Sequence, residues 1–269
     1  MRDVRLGLIG AGRMGEAMVR GILAAHRLAR EEILAADPDP DRRRMFLKGL
    51  GVSAVAENET VVEQAATILV AVKPQVFDRA ITPVGSLFGP AKLLISICAG
   101  VSTHHIETLV ASGTRVVRAM PNTPIGVGRG IVAISGGSRA SEADLAEAER
   151  LLGAAAETLR VPEDLMDAVT AVSGSGPAYF FYLMELLARA GVKVGLSEEE
   201  ARHLARVTFE GAARLLVESG AEPEDLRRQV TSPGGTTESA IRTLDALGFA
   251  KMVEEAVRAA RDRGHELGR

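Results

Sequence analysis

Three glycines near the start of the 269-residue chain have the spacing of a phosphate-binding turn, Gly10-x-Gly12-x-x-Gly15. They follow the apolar run Val4 to Ile9 and lead into a helix-forming stretch that begins at Glu16. In such a unit the first glycine makes the tight turn, the second lets the backbone approach a pyrophosphate, and the third lets the helix pack close to the strand. Because the N–H groups at the helix start then face the phosphates, the context predicts a dinucleotide site. The alternative is an ordinary glycine-rich turn.

A carboxylate follows the second predicted strand, residues 32–36. Asp37 stands where a dinucleotide fold often places an acid on the ribose 2′-OH, and such an acid favours NAD(H) because it repels a 2′-phosphate. Three consecutive arginines, 42–44, come shortly afterwards. They either reach a phosphate or form a solvated helix face that Asp41 caps, and the sequence leaves both interpretations open.

Two loops in the second half of the chain combine hydroxyls with glycines: Ser-Gly-Ser-Gly-Pro at 173–177 and Thr-Ser-Pro-Gly-Gly-Thr-Thr at 231–237. At a helix N-terminus, such a loop offers unpaired N–H groups and the positive end of the helix dipole, which suit a carboxylate. One such loop is more often a kink, as at Pro177, or a cap, as at Ser232 or Thr236. Two of them beside a dinucleotide fold favour a substrate pocket.

The sequence contains no Ser-His-Asp arrangement and no paired carboxylates in an obvious pocket. A hydride transfer needs neither, because the cofactor carries the difficult chemistry. Lys73, at the end of the predicted strand 67–72, could act as an acid, but this position is better suited to contact with ribose or phosphate. No metal site is expected, since the five histidines lack ligand spacing and Cys98 is the only cysteine.

Strands alternate with helices as far as residue 161, which is typical of a mostly parallel, doubly wound sheet. Ligands of such sheets bind at the carboxyl ends of the strands. Polar or glycine-rich strand ends recur at 10–15, 37, 72–74, 99–100 and 122–124. Beyond residue 161 only helices are predicted, at 164–172, 178–184, 197–218, 223–230, 236–247 and from 249 onwards. The sequence therefore predicts an α/β N-terminal Rossmann-type domain, 1–161, and an all-α C-terminal domain, 162–269.

The segment Ala178 to Met184 is apolar on nearly every side, as expected of a helix inside a core or an interface. A second domain of this size is too small to bury it alone, so we expect a partner subunit to cover it. Aromatic residues make up 3% of the chain, Trp is absent, and the net charge of −3 argues against nucleic-acid binding. No signal peptide or membrane span is evident, and a cytoplasmic location is expected.

Four motifs, in order along the chain, resemble the pyrroline-5-carboxylate reductase family. They are Ala71-Val72-Lys73-Pro74, Arg118 to Pro124, Val172 to Tyr179, and the stretch Gln229 to Asp245. The last is far more specific than the glycine triplet, and the resemblance covers essentially the whole chain. It implies a Rossmann domain followed by a helical dimerisation domain, and reduction of L-1-pyrroline-5-carboxylate to L-proline by NADPH or NADH.

The resemblance also implies roles for individual residues. The positions implied for the cofactor are Ile9, Gly10, Ala11, Gly12, Arg13, Met14, Asp37, Asp39, Asn58, Val72, Lys73 and Ala99. Thr237 is implied as the catalytic residue, because its hydroxyl faces the ring nitrogen of the substrate. The remaining substrate positions are Glu163, Ser175, Ser232, Gly235 and Thr236. Family members that use NADPH commonly have Ser, Thr or Arg where this chain has Asp37, so the cofactor preference stays open.

Two other functions compete with this one. A β-hydroxyacid dehydrogenase shares the two-domain plan but needs a lysine on its core helix; the region 173–179 has none, and Lys193 is expected in a turn beyond that helix. A dinucleotide-binding protein without catalysis is the other alternative, against which the intact loop around Thr237 argues. A dimer or a higher assembly of dimers is compatible with the sequence.

Overall fold

The computed structural model describes residues 4–267. Within this range the strands are β1 (Leu6–Ile9), β2 (Ile33–Ala36), β3 (Ser53–Val55), β4 (Thr67–Val70), β5 (Leu93–Ser96), β6 (Arg115–Pro121), β7 (Gly130–Gly136) and β8 (Ala156–Arg160). The α-helices of the first part are α1 (Arg13–Ala24), α2 (Pro40–Met45), α3 (Asn58–Gln64), α4 (Phe77–Ile81), α5 (Thr103–Leu109), α6 (Glu142–Leu152) and α7 (Met166–Val169). They are followed by α8 (Gly176–Lys193), α9 (Glu198–Ser219), α10 (Pro223–Gln229), α11 (Thr236–Ala246) and α12 (Phe249–Leu267).

The strands form one sheet in the order β3-β2-β1-β4-β5-β6-β7-β8. All neighbours are parallel except β6 and β7, which are antiparallel. Strand β1 lies between β2 and β4, and its residues are all buried, which explains its unbroken apolar sequence. The glycine turn therefore leaves the sheet where the strand order reverses, the position at which doubly wound folds bind ligands. The predicted Rossmann-type sheet is confirmed.

Helices cover both faces of the sheet. On one face α1 packs against the core with Met18, Val19 and Ile22, all fully buried. On the other face Phe77 and Ile81 of α4 are also fully buried. These layers hold the strands rigidly, so the loops at their carboxyl ends are well-defined positions for a ligand site.

The chain divides into two compact units, residues 1–175 with 260–269, and residues 176–259. The sequence placed the boundary between 161 and 162, at the end of the last strand. Residues 163–175 nevertheless pack with the sheet, since Met166 and Ala171 are completely buried there. The end of α12 also belongs to the first unit. The outer limits of the predicted domains, at 1 and 269, lie outside the described residues.

The second unit consists of helices, as predicted. Helix α9 begins with a reciprocal capping box between Ser197 and Glu200, and the bounds of α9 to α12 agree with the predicted ones to within a few residues. The helix predicted at 178–184 is longer than expected, since Lys193 is the last residue of α8 and does not lie in a turn beyond it. The predicted break near 173–177 is present: a π-helical turn, Thr170–Gly174, and a bend at Ser175 come before α8.

Candidate active site

The glycine turn has the geometry that a dinucleotide needs. Gly10 adopts φ +96°, in the left-handed region that favours glycine. A Cβ at Gly15 would lie 2.6 Å from the Gly10 carbonyl oxygen, so only glycine allows this close approach of helix to strand. A Cβ at Gly12 would meet nothing within 4 Å, which leaves the turn open on that side. Gly12 is also the N-cap of α1, so no side chain occupies the first N–H groups of the helix.

Asp37 holds this turn through its carboxylate. Oδ2 accepts a hydrogen bond from the Ala11 N–H at 2.8 Å, and Oδ1 accepts from the Asp39 N–H at 2.9 Å. Asp39 in turn caps α2, because its carboxylate accepts from the Asp41 N–H at 2.8 Å. The expectation that Asp41 is the cap is therefore wrong, since Pro40 begins the helix and Asp41 lies in its first turn.

The three arginines of α2, residues 42–44, do not all point into solvent. Arg42 Nε donates to the Ala11 carbonyl at 2.6 Å, and its Nη2 lies 3.3 Å from Glu16 Oε2 on α1. Arg43 Nη1 donates to the Asp37 carbonyl at 2.8 Å. Arg44 pairs with Asp41 at the surface. Arg42 and Arg43 thus stabilise the glycine turn and the end of β2. This structural role differs from both predicted roles, which were phosphate binding and a solvated helix face.

The next predicted cofactor positions follow β4 and β5. Cys98 joins these two strand ends, because its buried thiol donates to the Val72 carbonyl at 3.2 Å. Burial raises the pKa of this thiol to about 11, so it stays protonated at neutral pH. Lys73 is exposed at the same edge, and Ala99 is partly buried there. Asn58, at the start of α3, donates its amide to the Ala80 carbonyl at 3.0 Å and so connects α3 to α4.

In the second unit, the loop 231–237 ends at the N-terminus of α11. Gly235 is the N-cap and carries no side-chain oxygen, so the first-turn N–H groups of α11 have no capping acceptor. The Gly235 N–H donates to the Ser232 carbonyl at 3.0 Å, and a Cβ at Gly235 would lie 2.5 Å from Ser232 Oγ. Glu238 Oε2 accepts from the Gly234 N–H at 2.8 Å. The structure thus brings Ser232, Gly235, Thr236 and Thr237 together on one rigid turn.

The other two predicted substrate residues, Glu163 and Ser175, belong to the first unit. Glu163 caps α5: its Oε1 accepts from the Thr103 N–H at 2.7 Å, and its Oε2 accepts from the Thr103 hydroxyl. It also lies 3.4 Å from Arg118 Nη1. The Ser175 N–H donates to the Thr170 carbonyl at 2.8 Å, within the turn before α8. The structure gives Glu163 a structural role, and contact of either residue with substrate stays a prediction.

Asn122 is a residue whose role the sequence did not suggest. Its Oδ1 accepts from the Ile131 N–H at 3.0 Å, and its Nδ2 donates to the Ser173 hydroxyl at 3.3 Å. It therefore joins the carboxyl end of β6 to the serine-glycine turn that precedes α8. The polar sequence at 122–124 marked this strand end, but nothing in the sequence indicates a bond across 51 residues.

Comparison with known proteins identifies the family. Residues 163–267 match a family model described as pyrroline-5-carboxylate reductase dimerisation, and residues 5–100 match one described as NADP oxidoreductase coenzyme F420-dependent. Pyrroline-5-carboxylate reductase from a Synechocystis species is 41% identical over 269 residues, 99% of each chain. The chain belongs to the pyrroline-5-carboxylate reductase family. The enzyme of that name from Pseudomonas aeruginosa is 38% identical to this reductase and covers 99% of it, with 98% of its own chain aligned.

Solved structures of pyrroline-5-carboxylate reductases have the same fold as this chain. The pyrroline-5-carboxylate reductase of Coxiella burnetii superposes with a TM-score of 0.90 at 32% identity, over 99% of both chains. The pyrroline carboxylate reductase of Plasmodium falciparum, solved with NADP bound, gives a TM-score of 0.86 at 30% identity over 100% of both chains. The predicted family and fold class are confirmed, as is the enzyme class: this reductase is an NAD(P)-dependent oxidoreductase that acts on an imine.

No group of three or more His, Cys, Asp or Glu side chains gathers within residues 4–267 as a metal-ligand set. Among the same residues, no helix combines the length and apolar character that crossing a membrane requires.

Proposed function

We propose that this reductase reduces the C=N bond of L-1-pyrroline-5-carboxylate, giving L-proline, in the last step of proline biosynthesis. The observation that carries the proposal is the N-terminus of α11, where a glycine cap leaves the first-turn N–H groups open beside two threonines. The cofactor, NADPH or NADH, supplies the hydride when it is bound. The residues of the chain bind and orient both molecules.

The proposed cofactor groove runs along the carboxyl edge of the sheet. The glycine turn from Ile9 to Met14 receives the pyrophosphate, because it offers open N–H groups and the positive end of α1. Asp37 and Asp39 lie beside the turn and are assigned to the adenosine ribose. The remaining groove positions are Asn58, Val72, Lys73 and Ala99. The left-handed Gly10, the close contact at Gly15 and the uncapped start of α1 support the assignment.

The proposed substrate site is the turn at α11. The Gly235 N–H is bonded to the Ser232 carbonyl, and the uncapped N–H groups of Thr236 and Thr237 form the positive end of the α11 dipole. A carboxylate bound on the Gly235-Thr236-Thr237 backbone is stabilised there by about 0.3–1 kcal/mol, the usual range at an exposed helix end. Ser232 shapes this turn through its contact with Gly235. The Thr237 hydroxyl is assigned to the imine nitrogen, and Glu163 and Ser175 to further substrate contacts. A protonated imine needs orientation and charge stabilisation and no separate acid.

We also assign the roles of the two predicted domains, the assembly and the location of the protein. Residues 1–161 are assigned to the cofactor, and residues 162–269 to substrate and dimerisation. The dimerisation match supports a homo-oligomer, and we infer a homodimer or an assembly of dimers. A single cysteine, buried as a thiol, is consistent with a cytoplasmic location. The expected lack of nucleic-acid binding stays a prediction.

The test is turnover of the purified chain. Loss of NADPH or NADH absorbance should depend on added pyrroline-5-carboxylate, with proline as the product. Thr237→Ala should slow kcat/KM by about 10- to 1000-fold, the scale of one lost orienting hydrogen bond in a transition state. Thr237→Ser keeps the hydroxyl and should retain most of the activity.

Thr243→Ala is the matched control, because Thr243 is exposed on the same helix and its hydroxyl donates to the Ser239 carbonyl of that helix. Absence of turnover with either cofactor would refute the proposed function. Equal kinetics for Thr237→Ala and wild type would show that Thr237 has no role in the active site. Cofactor binding without turnover would instead support the dinucleotide-binding alternative.

A further inference from the structure

The end of α12 packs against the loop that follows β5. Gly264 is the buried residue of α12, and a Cβ there would lie 3.5 Å from Asp167 Cβ. Gly100 is buried with φ +76°, and a Cβ there would lie 3.2 Å from Leu267 Cβ and 3.4 Å from the Gly264 carbonyl oxygen. The last turns of α12 therefore touch the loop 99–102 at Gly100, where a Cβ would be tightly packed against Leu267.

A buried arginine connects the same elements. Arg118 on β6 has a side chain that is 7% exposed, and its Nη2 lies 3.2 Å from Asp167 Oδ1 while its Nη1 lies 3.4 Å from Glu163 Oε1. Glu163 holds the start of α5 through Thr103. Asp167 Oδ2 lies 3.7 Å from His265 Nδ1, one residue beyond Gly264. The loop 99–102 is thus held just beyond its far end by Glu163, which binds Thr103, and at Gly100 by α12.

We propose that Gly264 and Asp167 are positioning residues for the cofactor, acting through the loop 99–102. This inference rests on the proposed function, which assigns Ala99 to the cofactor groove. Ala99 stands between Cys98, which is fixed to the Val72 carbonyl, and Gly100, which lies against α12. Displacement of the α12 end shifts Gly100 and with it Ala99, while the glycine turn keeps its own supports at Asp37 and Arg42.

Gly264→Leu tests the packing. Its side chain must push Asp167 and the end of α12 apart, and the end of α12 carries the contact with Gly100. The Kd for NADH or NADPH should therefore rise about tenfold, since a misplacement of about 1 Å in a positioned site costs up to about 100-fold. Gly264→Ala is the matched control, because a single Cβ makes only ordinary van der Waals contact there, and its Kd should stay within about twofold of wild type. Nicotinamide fluorescence measures the Kd without tryptophan background, since the chain has no Trp.

Asp167 provides a second, smaller perturbation. Asp167→Ala removes the acceptor for Arg118, whereas Asp167→Asn keeps an oxygen at that position. We expect Asp167→Ala to raise the Kd and the KM for cofactor by several-fold, and Asp167→Asn to restore most of the loss. For both positions kcat at saturating cofactor should change less than the KM for cofactor, because the catalytic turn at α11 is untouched.

Gel filtration and thermal unfolding separate this role from a structural one. A Gly264→Leu protein that binds cofactor like wild type, or one whose only defect is a lower Tm, would overturn the inference. If Gly264→Leu does not fold, the variants Asp167→Ala and Asp167→Asn test the inference instead. Equal cofactor affinity of both variants and wild type would overturn it. Failure of wild type itself to bind NADPH or NADH would refute the proposed function first, and this inference with it.

Discussion

Asp37 carries out two tasks at once in the cofactor half of the protein. Its carboxylate accepts hydrogen bonds from the Ala11 and Asp39 N–H groups, so it fixes the glycine turn before any ligand arrives. The same negative charge stands beside the position assigned to the ribose 2′-OH, where it opposes a 2′-phosphate. Arg42 and Arg43 donate to backbone carbonyls of the turn and strand end, and Arg42 pairs with Glu16.

We therefore expect Asp37→Ser to move the cofactor preference towards NADPH. The ratio of kcat/KM for NADPH to that for NADH should rise about tenfold, since one repulsive pair near a protein surface contributes on the order of 1–4 kcal/mol. Paired kinetics with both cofactors measure this ratio. Asp41→Ser is the matched control, because Asp41 is exposed in the first turn of α2. An unchanged ratio in Asp37→Ser would show that this carboxylate does not select the cofactor.

At the scale of elements, the turn before α8 is attached to the sheet by one side chain. Asn122 at the carboxyl end of β6 bonds to Ile131 on β7 and to Ser173 in the turn. The π-helical turn Thr170–Gly174 therefore has a fixed end on the sheet, and Ser175 and the start of α8 follow directly from it. Asn122, at the end of β6, therefore fixes the position of the turn that precedes α8.

Asn122→Ala should lower the free energy of unfolding by about 1–3 kcal/mol, because it leaves the Ile131 N–H and the Ser173 hydroxyl without this partner. Urea denaturation measures the change. Asn122→Asp keeps the acceptor for the Ile131 N–H and loses the donor to Ser173, so its loss should be smaller. Thr123→Ala, at the exposed neighbour, controls for general effects on the loop. A loss below about 0.5 kcal/mol for Asn122→Ala, the usual range for surface substitutions, would contradict the prediction.

In a single chain, several large apolar residues of α8 are exposed to solvent. Phe180, Phe181 and Tyr182 are 56%, 59% and 59% exposed. Such a continuous apolar surface is typical of a subunit interface, and the segment lies in the region that matches the dimerisation family model. A symmetric dimer buries the same surface on both subunits, so each substitution there acts twice.

Phe181→Glu should dissociate the assembly at micromolar concentration. It removes an apolar side chain whose burial contributes about 1.5–3 kcal/mol per subunit, and it adds a charge that costs more to bury. Gel filtration with light scattering measures the mass. Leu47→Glu is the matched control, because Leu47 is 58% exposed and lies in the first unit. A monomeric wild type, or a Phe181→Glu protein of unchanged mass, would contradict the assigned interface.

Much of the architecture followed from local sequence. Buried parallel strands are apolar on both faces, so β1, β4 and β5 were predicted by composition alone. The glycine turn was predicted because its chemistry depends on a few consecutive residues. The cap of α11 is Gly235, and neither Ser232 nor Thr236, the two caps that the sequence offered. The packing of Met166 and Ala171 in the first unit was not predicted, because it leaves no trace in local composition. The domain boundary after residue 161 stays a prediction.

Local sequence was enough to predict most of the elements, the family and the residues whose chemistry depends on their neighbours. The contacts that hold these residues in place are visible only in the folded chain: Arg42 bonds to the Ala11 carbonyl, Asn122 bonds to Ser173, and Gly264 packs against Asp167. These contacts join residues far apart in the chain, and their free energy depends on distances and burial that no spacing rule encodes. Propensity and periodicity act over a few residues, whereas the site is assembled by packing between strands, turns and the end of the last helix.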